Sequence, residues 1–394
     1  MSDCKYRVLI VASHPVQYAT PIFRLMAQHP KIDLLVAYCS LHGAEAALDP
    51  GFGVEVKWDI PLLDGYPWIQ VPNRSLRPGL GRFFGLVNPD LWHRIRTEQF
   101  DAVHILTGYN YLTFWIVAAI AKSTKTALLF GTDAHELSPQ GCPIWKTRIK
   151  KLLLPHIFGL ADTVTVLSSG GVKFIHSLGI PEQRIQLTPF VVDNDWWISQ
   201  AQKVDQGLVR QQWNIPTDAF VILFCAKLQS RKRPQDALQA FAKVNLPNSY
   251  LVFAGDGVLR ADLEAETKSF GIEDQVRFLG FVNQSQLPST YRSADLFVFS
   301  SEHEPFGVVV NEAMLCGCPV VVSNRVGARY DLVCHGETGF VYPCSDVNAL
   351  AEIMRLAKSN PKELEQISTS ASKQMKTWSP HENVEAILQA LEKL

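Results

Sequence analysis

Short apolar or β-branched runs alternate along the chain with longer segments in which apolar residues recur at helical spacing. Because strands separated by helices form βαβ units with parallel sheets, this pattern predicts an α/β fold with two doubly wound domains. The predicted strands span residues 8–12, 34–38, 102–106, 127–130 and 163–167 in the first half, and 220–225, 250–254, 276–278, 296–299 and 320–322 in the second.

A domain boundary is predicted near residue 200. The chain has 394 residues, and single cores stop growing beyond about 250–300 residues. A polar, turn-rich connector covers residues 189–207. We therefore expect a first domain at 1–200 and a second at 201–377, followed by an amphipathic helix within 378–394. Ligands of doubly wound sheets bind beyond the carboxyl ends of the strands.

The composition indicates a folded protein and excludes some partners. Hydrophobic residues make up 47% of the chain and charged residues 19%, and the formal net charge is −1. No overall positive field therefore attracts nucleic acid. The first apolar run is too short for a secretory leader, and the longest, residues 112–121, falls well short of the roughly 20 residues that span a bilayer. We expect a cytoplasmic protein without a transmembrane helix.

Glu304 and Glu312 form the most informative pair of residues. A Pro-Phe-Gly turn and an apolar run separate them, so a helix is expected to begin near Gly307. Gly317 and Pro319 then end this helix before a buried strand. A helix that starts at a glycine offers backbone N–H groups to a phosphate. The two carboxylates can bracket one ligand, one at a hydroxylated group and the other at a diol. Otherwise they are ordinary loop and helix residues.

A basic loop follows the strand predicted at residues 220–225. Its four cations, Lys227, Arg231, Lys232 and Arg233, fall within seven residues. Lysine supplies a mobile point charge, so this loop at the carboxyl end of a strand suits a diphosphate. The alternative interpretation is a solvated basic turn.

These two segments resemble the motifs of retaining GT-B glycosyltransferases, most closely glycosyltransferase family 4, the glycosyl transferases group 1. The E-x7-E stretch carries the family's Phe-Gly, Glu-Ala-Met and Gly-x-Pro-Val-Val sequences, and Gly-Glu-Thr-Gly-Phe follows at residues 336–340. The basic loop looks like the family's G-R-L-x-x-x-K motif, with Ala226 and Lys227 in place of Gly and Arg. The resemblance covers nearly all of residues 200–380 and extends more weakly over 1–200.

The resemblance implies two Rossmann-like domains facing a cleft that holds the active site, with the C-terminal helix packed back on the first, acceptor-side domain. It implies retaining, metal-independent hexosyl transfer from a UDP-, GDP- or ADP-sugar, with no further cofactor. The hydroxyl acceptor is a glycan, as in polysaccharide biosynthesis, a lipid-linked sugar or a small metabolite. Retention without an enzymatic nucleophile suits a front-face route, in which the leaving phosphate takes the acceptor's proton.

The resemblance also assigns donor-binding residues. Lys227 and Lys232 form the phosphate-binding pair, Glu304 holds hydroxyls of the transferred sugar, and Glu312 holds the ribose diol. The helix start, a Gly-x-Gly turn and the strand bordering the base complete the nucleotide site, through Phe306, Gly307, Val308, Val309, Gly255, Arg277 and Phe278. Because Lys227 replaces an arginine, bidentate recognition is lost and the phosphate geometry is expected to differ.

The first half offers candidates at two strand ends. Asp133 and His135 follow the strand predicted at 127–130, where they can position a sugar hydroxyl or an acceptor. Many members of the family carry a His-Asp pair here, with the histidine on the transferred sugar, whereas this chain has Thr132-Asp133 and a displaced His135. His14 follows the first strand, in place of the family's frequent Gly-Gly loop. It is the acceptor-side candidate, with structural packing as the alternative.

Two features that resemble metal or redox motifs are interpreted as structural. The eight cysteines are scattered, and the close pair Cys316 and Cys318 lies at a predicted helix end that needs small residues. Asp193 and Asp195 have the D-x-D form with which the other major transferase fold binds a metal–diphosphate. In the connector this sequence is typical of a turn and helix cap. No metal ligand is therefore assigned.

Three further interpretations stay open. A basic, apolar segment beginning at Trp145 is typical either of a helix touching an acidic membrane, peripherally on its inner face, or of a helix with a solvated basic face. A sugar-nucleotide epimerase of the same fold is one alternative to the transferase, although the sequence reveals no clear acid–base set. A catalytically silent nucleotide-binding partner is the other, and the altered His-Asp and Gly-Gly positions favour it.

Overall fold

The computed structural model describes residues 5–44, 47–49, 54–137 and 143–394. The chain divides into two compact units. Unit 1 comprises Met1–Ala47, Pro61–Phe190 and Pro380–Leu394, and unit 2 comprises Leu48–Ile60 and Val191–Ser379. The main division thus falls after Phe190 rather than after residue 200, and the later one after Ser379 rather than after residue 377. The sequence did not predict that Leu48–Ile60 belongs to unit 2.

Strands and helices alternate as the sequence predicts. The strands are β1 Tyr6–Ala12, β2 Ile32–Tyr38, β3 Ala47–Asp49, β4 Val54–Val56, β5 Trp68–Gln70, β6 Ala102–Ile105, β7 Ala127–Thr132, β8 Thr163–Val166, β9 Ile185–Leu187, β10 Phe220–Cys225, β11 Ser249–Ala254, β12 Val276–Gly280, β13 Leu296–Phe299, β14 Val320–Ser323 and β15 Phe340–Tyr342. The helices are α1 Thr20–Gln28, α2 Asp90–Glu98, α3 Leu112–Thr124, α4 Ile144–Gly159, α5 Ser169–Ser177, α6 Asn194–Ala201, α7 Gln206–Gln212, α8 Pro234–Val244, α9 Arg260–Ser269, α10 Leu287–Arg292, α11 Val309–Leu315, α12 Val347–Ser359, α13 Pro361–Met375 and α14 Pro380–Glu392.

Unit 1 is built on a seven-stranded sheet with the order β5-β2-β1-β6-β7-β8-β9, and neighbouring strands pair in parallel. Strand β1 is a continuous apolar run because the sheet is covered on both faces. Leu9 and Val11 lie in a core shared with α2, α3, α4 and α5. Val8 and Ile10 lie in a second core, shared with α1 and α14. The C-terminal helix therefore packs within unit 1.

Unit 2 is built on a six-stranded parallel sheet with the order β12-β11-β10-β13-β14-β15. Its central strands β10 and β11 supply Ile222, Phe224, Leu251 and Phe253 to a core that also contains residues of α8, α9, α12 and α13. Both sheets are thus parallel, helix-covered and doubly wound. The α/β class with two Rossmann-like units, predicted from the sequence, is confirmed.

The segment Leu48–Ile60 forms specific contacts with the rest of unit 2. The Asn283 side-chain amide donates to the carbonyl oxygen of Lys57 at 2.8 Å. The Ser285 backbone N–H donates to the Asp59 carboxylate at 3.1 Å, and the Ser285 hydroxyl donates to the same carboxylate. Strands β3 and β4 of this region form a two-stranded ribbon. Across the described part of the chain, the helices are all too short or too polar to cross a bilayer.

Candidate functional site

The strand order of unit 2 reverses between β10 and β13. From β10 the chain proceeds outward through β11 and β12, and it then returns to β13 on the other side of β10. In open parallel sheets such a reversal opens a crevice at the carboxyl ends of the two strands, which is where ligands bind. The loops leaving these ends are residues 226–233 and 300–308. They are the loops that carry Lys227, Lys232 and Glu304.

The cations of the basic loop after β10 have two different roles. Arg233 has a left-handed backbone with φ of +50°, and its guanidinium donates to both carboxylate oxygens of Asp236 at 2.7 and 2.8 Å. This pairing fixes the start of α8. The Ser300 hydroxyl contacts the carbonyl oxygens of Lys232 and Arg233 at 3.0 and 2.7 Å. The loop is thereby attached to the strand end of β13, and Arg231 and Lys232 are directed toward Glu304.

Glu304 and Lys232 meet as an ion pair between Nζ and Oε2, although 72 positions separate them in the chain. Arg231 Nη1 lies 3.3 Å from the same oxygen and donates to the His303 carbonyl at 2.8 Å. Burial lowers the pKa of Lys232, and the neighbouring charges of Arg231 and Lys227 act in the same direction, whereas Glu304 raises it. Arg231 and Lys232 therefore contact one carboxylate, and Lys227 lies close enough to Lys232 to act on its charge, which leaves the cluster with an excess of positive charge.

The loop from Glu304 to Gly307 is held rigidly against the segment 325–328. The Gly327 N–H donates to the Glu304 carbonyl at 3.0 Å, and the Ala328 N–H donates to the Phe306 carbonyl at 2.8 Å. A Cβ at Gly327 would lie 1.9 Å from the Pro305 carbonyl oxygen, so the two segments touch backbone to backbone. Gly307 has a φ of +96°, which favours glycine.

Helix α11 begins at Val309, two residues later than the sequence predicts, and Gly317 follows its end with a φ of +75°. Glu312 is buried, and the Tyr291 hydroxyl donates to its Oε2 at 3.0 Å. Burial raises the pKa of Glu312 to about 8, although the Tyr291 hydrogen bond acts in the opposite direction. This carboxyl group is consequently mostly protonated at neutral pH.

Other residues of the expected nucleotide site have packing roles. A Cβ at Gly255 would lie 2.0 Å from the Ala226 carbonyl oxygen, so this glycine lets the turn after β11 support the basic loop. The Arg277 guanidinium donates to the carbonyl oxygens of Trp213 and Asn214 at 2.9 and 3.0 Å, which uses it structurally. Phe278 stacks on Phe253 with ring centroids 5.0 Å apart, and Phe306 stacks on Trp378 at 6.1 Å.

The D-x-D sequence of the connector is a helix cap, as interpreted from the sequence. Asp193 is the N-cap of α6, and its Oδ1 accepts a hydrogen bond from the Trp196 N–H at 3.0 Å. Asp195 lies in the first turn of the same helix. Acidic residues at these positions complement the helix dipole. The sequence is therefore accounted for by the local structure of α6.

Unit 1 has its own reversal of strand order, between β1 and β6. His14 follows β1, and its Nδ1 lies 2.9 Å from the Ser13 hydroxyl. Its ring is 6.0 Å from that of His42, in an edge-to-face arrangement. Burial, followed by the neighbouring His42, lowers the pKa of His14 to about 4, so His14 is neutral at physiological pH. A neutral imidazole can accept a hydrogen bond from a hydroxyl group.

Asp133 lies near two tyrosines at the same edge of the sheet. Burial and then the charge of Asp133 raise the pKa of Tyr18 to about 12, and the same two causes raise that of Tyr109. His135, two residues further on, is partly buried. The structure thus brings Asp133 together with Tyr18 and Tyr109. Neither tyrosine was predicted as a site residue, because both approach Asp133 only through the sheet topology.

The fold is that of known glycosyltransferases over almost the whole chain. A crystal structure of Anabaena HepE in complex with UDP aligns with 99% of this chain and 100% of its own, with a TM-score of 0.75 and 20% identity. A sucrose-phosphate synthase from Thermosynechococcus elongatus aligns with 99% of both chains, with a TM-score of 0.72 and 18% identity. At these identities the likeness defines the fold class.

Sequence similarity covers about half of the chain. Residues 205–374 match the model of the glycosyl transferases group 1. It is 31% identical over 198 residues to N-acetyl-alpha-D-glucosaminyl L-malate synthase of Bacillus anthracis, covering 50% of each chain. It is 40% identical over 189 residues to an uncharacterized glycosyltransferase of Methanocaldococcus jannaschii, covering 46% of this chain and 47% of the other. The chain spans about half the length of the curated relatives it matches.

Proposed function

We propose that this protein is a retaining glycosyltransferase that moves a sugar from a nucleoside-diphosphate sugar to a hydroxyl acceptor without a metal ion. One observation carries the proposal: Arg231 and Lys232 pair with Glu304 at the strand-order reversal of unit 2, and the charge of Lys227 acts on Lys232. A diphosphate is the anion that such a cluster suits, and a carboxylate beside it suits sugar hydroxyls. The relatives named as glycosyltransferases support the same activity.

The donor is a UDP-sugar in this proposal, with GDP- and ADP-sugars as the alternatives. Structural neighbours hold UDP and UDP-glucose, which favours uridine. The cations bind the diphosphate, Glu304 accepts hydrogen bonds from the transferred sugar, and Glu312 faces the ribose diol. Because the cations already supply positive charge at the leaving group, stabilisation of the departing diphosphate needs no further ion.

In the reaction, the bond between the anomeric carbon and the donor phosphate oxygen breaks, and a bond to the acceptor oxygen forms on the same face of the sugar. The leaving phosphate oxygen takes the acceptor's proton, and nucleoside diphosphate is released. Lys227, Arg231 and Lys232 stabilise the negative charge that develops on the diphosphate. His14 and Asp133, at the sheet edge of unit 1, act on the acceptor side. The acceptor is a glycan, a lipid-linked sugar or a small metabolite.

Thermal unfolding of the full chain with UDP, GDP, ADP and their sugars, each with and without EDTA, tests the donor site. Binding to the folded state raises the midpoint, by about 2.7 kcal/mol of stability at a hundredfold excess over Kd. We expect one nucleotide family to raise it, equally in EDTA. Lys232→Gln should lose this shift, and Lys268→Gln, an exposed lysine of α9, should keep it.

No shift with any nucleotide would contradict the donor site, and a shift abolished by EDTA would contradict metal independence. Release of nucleoside diphosphate only in the presence of an acceptor would separate a transferase from an epimerase or a silent partner. The anomeric configuration of the product, read by NMR against that of the donor, tests retention. An inverted product would contradict the front-face route.

A further inference from the structure

Helix α4 of unit 1 exposes a set of large apolar side chains to solvent. Its core-facing side is formed by Leu154 and Phe158, which are buried in the core of unit 1. On the opposite side a row of apolar residues is 47–68% exposed, and we call this row the α4 stripe. Its members are Trp145, Ile149, Leu152 and Leu153. With about 100° between successive helical residues, they fall within an arc of roughly 100° that points away from the buried side.

Basic residues border the α4 stripe. At helical spacing, Arg148 and Lys146 fall roughly 80° to either side of its centre, and Lys150 and Lys151 lie beyond them. No aspartate or glutamate occurs anywhere in residues 137–161. The helix therefore combines two apolar sides, one for the core and one for solvent, with cations between them. That second side is not needed to hold α4 in unit 1.

A second segment of the same composition lies in unit 1. Residues 74–84 contain three arginines and no acidic residue, and one of the three, Arg74, pairs with Asp90 of α2 at 3.4 Å. Their side chains Leu76, Phe83 and Phe84 are exposed by 100%, 43% and 66%. The Gly81 N–H of this segment donates to the hydroxyl of Tyr111 at 2.7 Å, and Tyr111 is the N-cap of α3.

The two segments lie at one edge of the unit 1 sheet. Helices α3 and α4 follow the neighbouring parallel strands β6 and β7, so both begin at the carboxyl edge. Both also pack in the same core, where the rings of Phe114, Phe130 and Phe158 follow one another at 4.7 and 5.4 Å. The start of α3, which residues 74–84 contact, and helix α4 therefore lie on the same face of the unit 1 sheet.

We propose that unit 1 docks on the surface of an anionic phospholipid bilayer through the α4 stripe and residues 74–84. A helix with exposed aromatic and aliphatic residues, bordered by lysine and arginine, inserts its apolar side among the acyl chains while its cations contact the headgroups. Charge complementarity selects this partner, because the patches carry cations without any acidic residue, whereas the whole chain has a net charge of −1. The proposal is independent of the donor chemistry.

Co-sedimentation of the full chain with extruded vesicles tests the docking. We expect binding to vesicles of phosphatidylcholine with about 30% phosphatidylglycerol, and at least tenfold weaker binding to phosphatidylcholine alone. Raising the salt from about 0.1 to about 0.5 M should weaken binding severalfold, and each cation of α4 changed to glutamine should weaken it roughly fivefold.

The decisive variant replaces Trp145, Ile149 and Leu152 by serine. Its matched control replaces three exposed apolar residues of unit 2, Leu208, Val258 and Leu356, by serine. Circular dichroism and thermal midpoints check that both fold. We expect the α4 variant to lose at least 90% of vesicle binding and the control to bind like the wild type.

Three results would overturn the proposal. One is equal binding to neutral and anionic vesicles, or none to either. Another is loss of binding in the control as large as that in the α4 variant. The third is concentration-dependent self-association in analytical ultracentrifugation that only the α4 variant abolishes, because the stripe would then be covered by a second copy of the chain.

Discussion

The stability of the protein is predicted to decrease as the pH rises, because of one buried carboxyl group. Glu312 has a folded-state pKa of about 8, raised by burial from the ordinary 4.5. Between these two values the folded state keeps a proton that the unfolded state releases. Stability from this group is thus fully present below pH 4.5 and is lost as the pH rises through 8, by about 1.4 kcal/mol per pH unit at most.

Glu312→Gln isolates this effect. Glutamine keeps the shape and an oxygen that can accept the Tyr291 hydrogen bond, and it does not titrate. From pH 5.5 to 7.5 the wild type should lose about 2.5 kcal/mol relative to the variant. For a unit of this size that corresponds to roughly 5–10 °C in Tm. Glu365→Gln, at an exposed position of α13, is the control and should follow the wild type at every pH.

Calorimetric Tm values of the three proteins, measured in steps from pH 5 to pH 8, provide the test. A Tm difference between Glu312→Gln and the wild type that stays constant across this range would refute the reasoning, as would one that grows toward low pH. Tyr291→Phe refines it further. Removing the hydroxyl removes the contact that favours the ionised carboxylate, so the pKa of Glu312 should rise further. The stability of this variant should therefore level off at a higher pH than that of the wild type.

Two further predictions concern the loop between β13 and α11 and helix α11 itself. Glu304→Gln should leave the affinity for a free nucleoside diphosphate within about threefold and reduce turnover by about 10²–10³-fold, whereas Glu312→Ala should weaken nucleotide binding itself; equal losses of affinity in isothermal titration calorimetry would contradict these roles. Gly307→Ala should cost about 1–3 kcal/mol, because φ is +96° and a Cβ would meet Phe299 at 2.9 Å. Gly336→Ala shares a positive φ of +79° but has no atom within 4 Å of the new Cβ, so equal Tm losses in the two glycine variants would show that packing at Gly307 is unimportant.

The sequence predicted the central strands because the sheets bury them on both faces. A strand such as β1 then becomes an uninterrupted apolar run between polar segments, which is a strong signal. Strands β5, β9 and β15 have only three residues each and were not predicted. Three residues cannot establish a periodicity, and these strands owe their place to pairing with the strands beside them.

The contacts within the candidate site could not be predicted from the sequence. The four cations of the basic loop form one run in the sequence, whereas the structure uses Arg233 to hold Asp236 and directs Arg231 and Lys232 toward Glu304. Local spacing cannot supply this division, since it depends on β10 and β13 being neighbours. The Tyr291 contact of Glu312 likewise depends on the packing of α10 against α11.

The position of α14 affects how the protein is made on the ribosome. Ile387 and Leu391 complete a core that also contains Ile10 and Phe23, yet most of unit 2, Val191–Ser379, lies between them in the chain. At 5–20 residues per second, translation of that stretch takes roughly 10–40 s. Throughout this interval the face of the nascent sheet that packs against α1 lacks the additional cover of α14. Apolar residues of the first half of the polypeptide therefore stay exposed until α14 has been made.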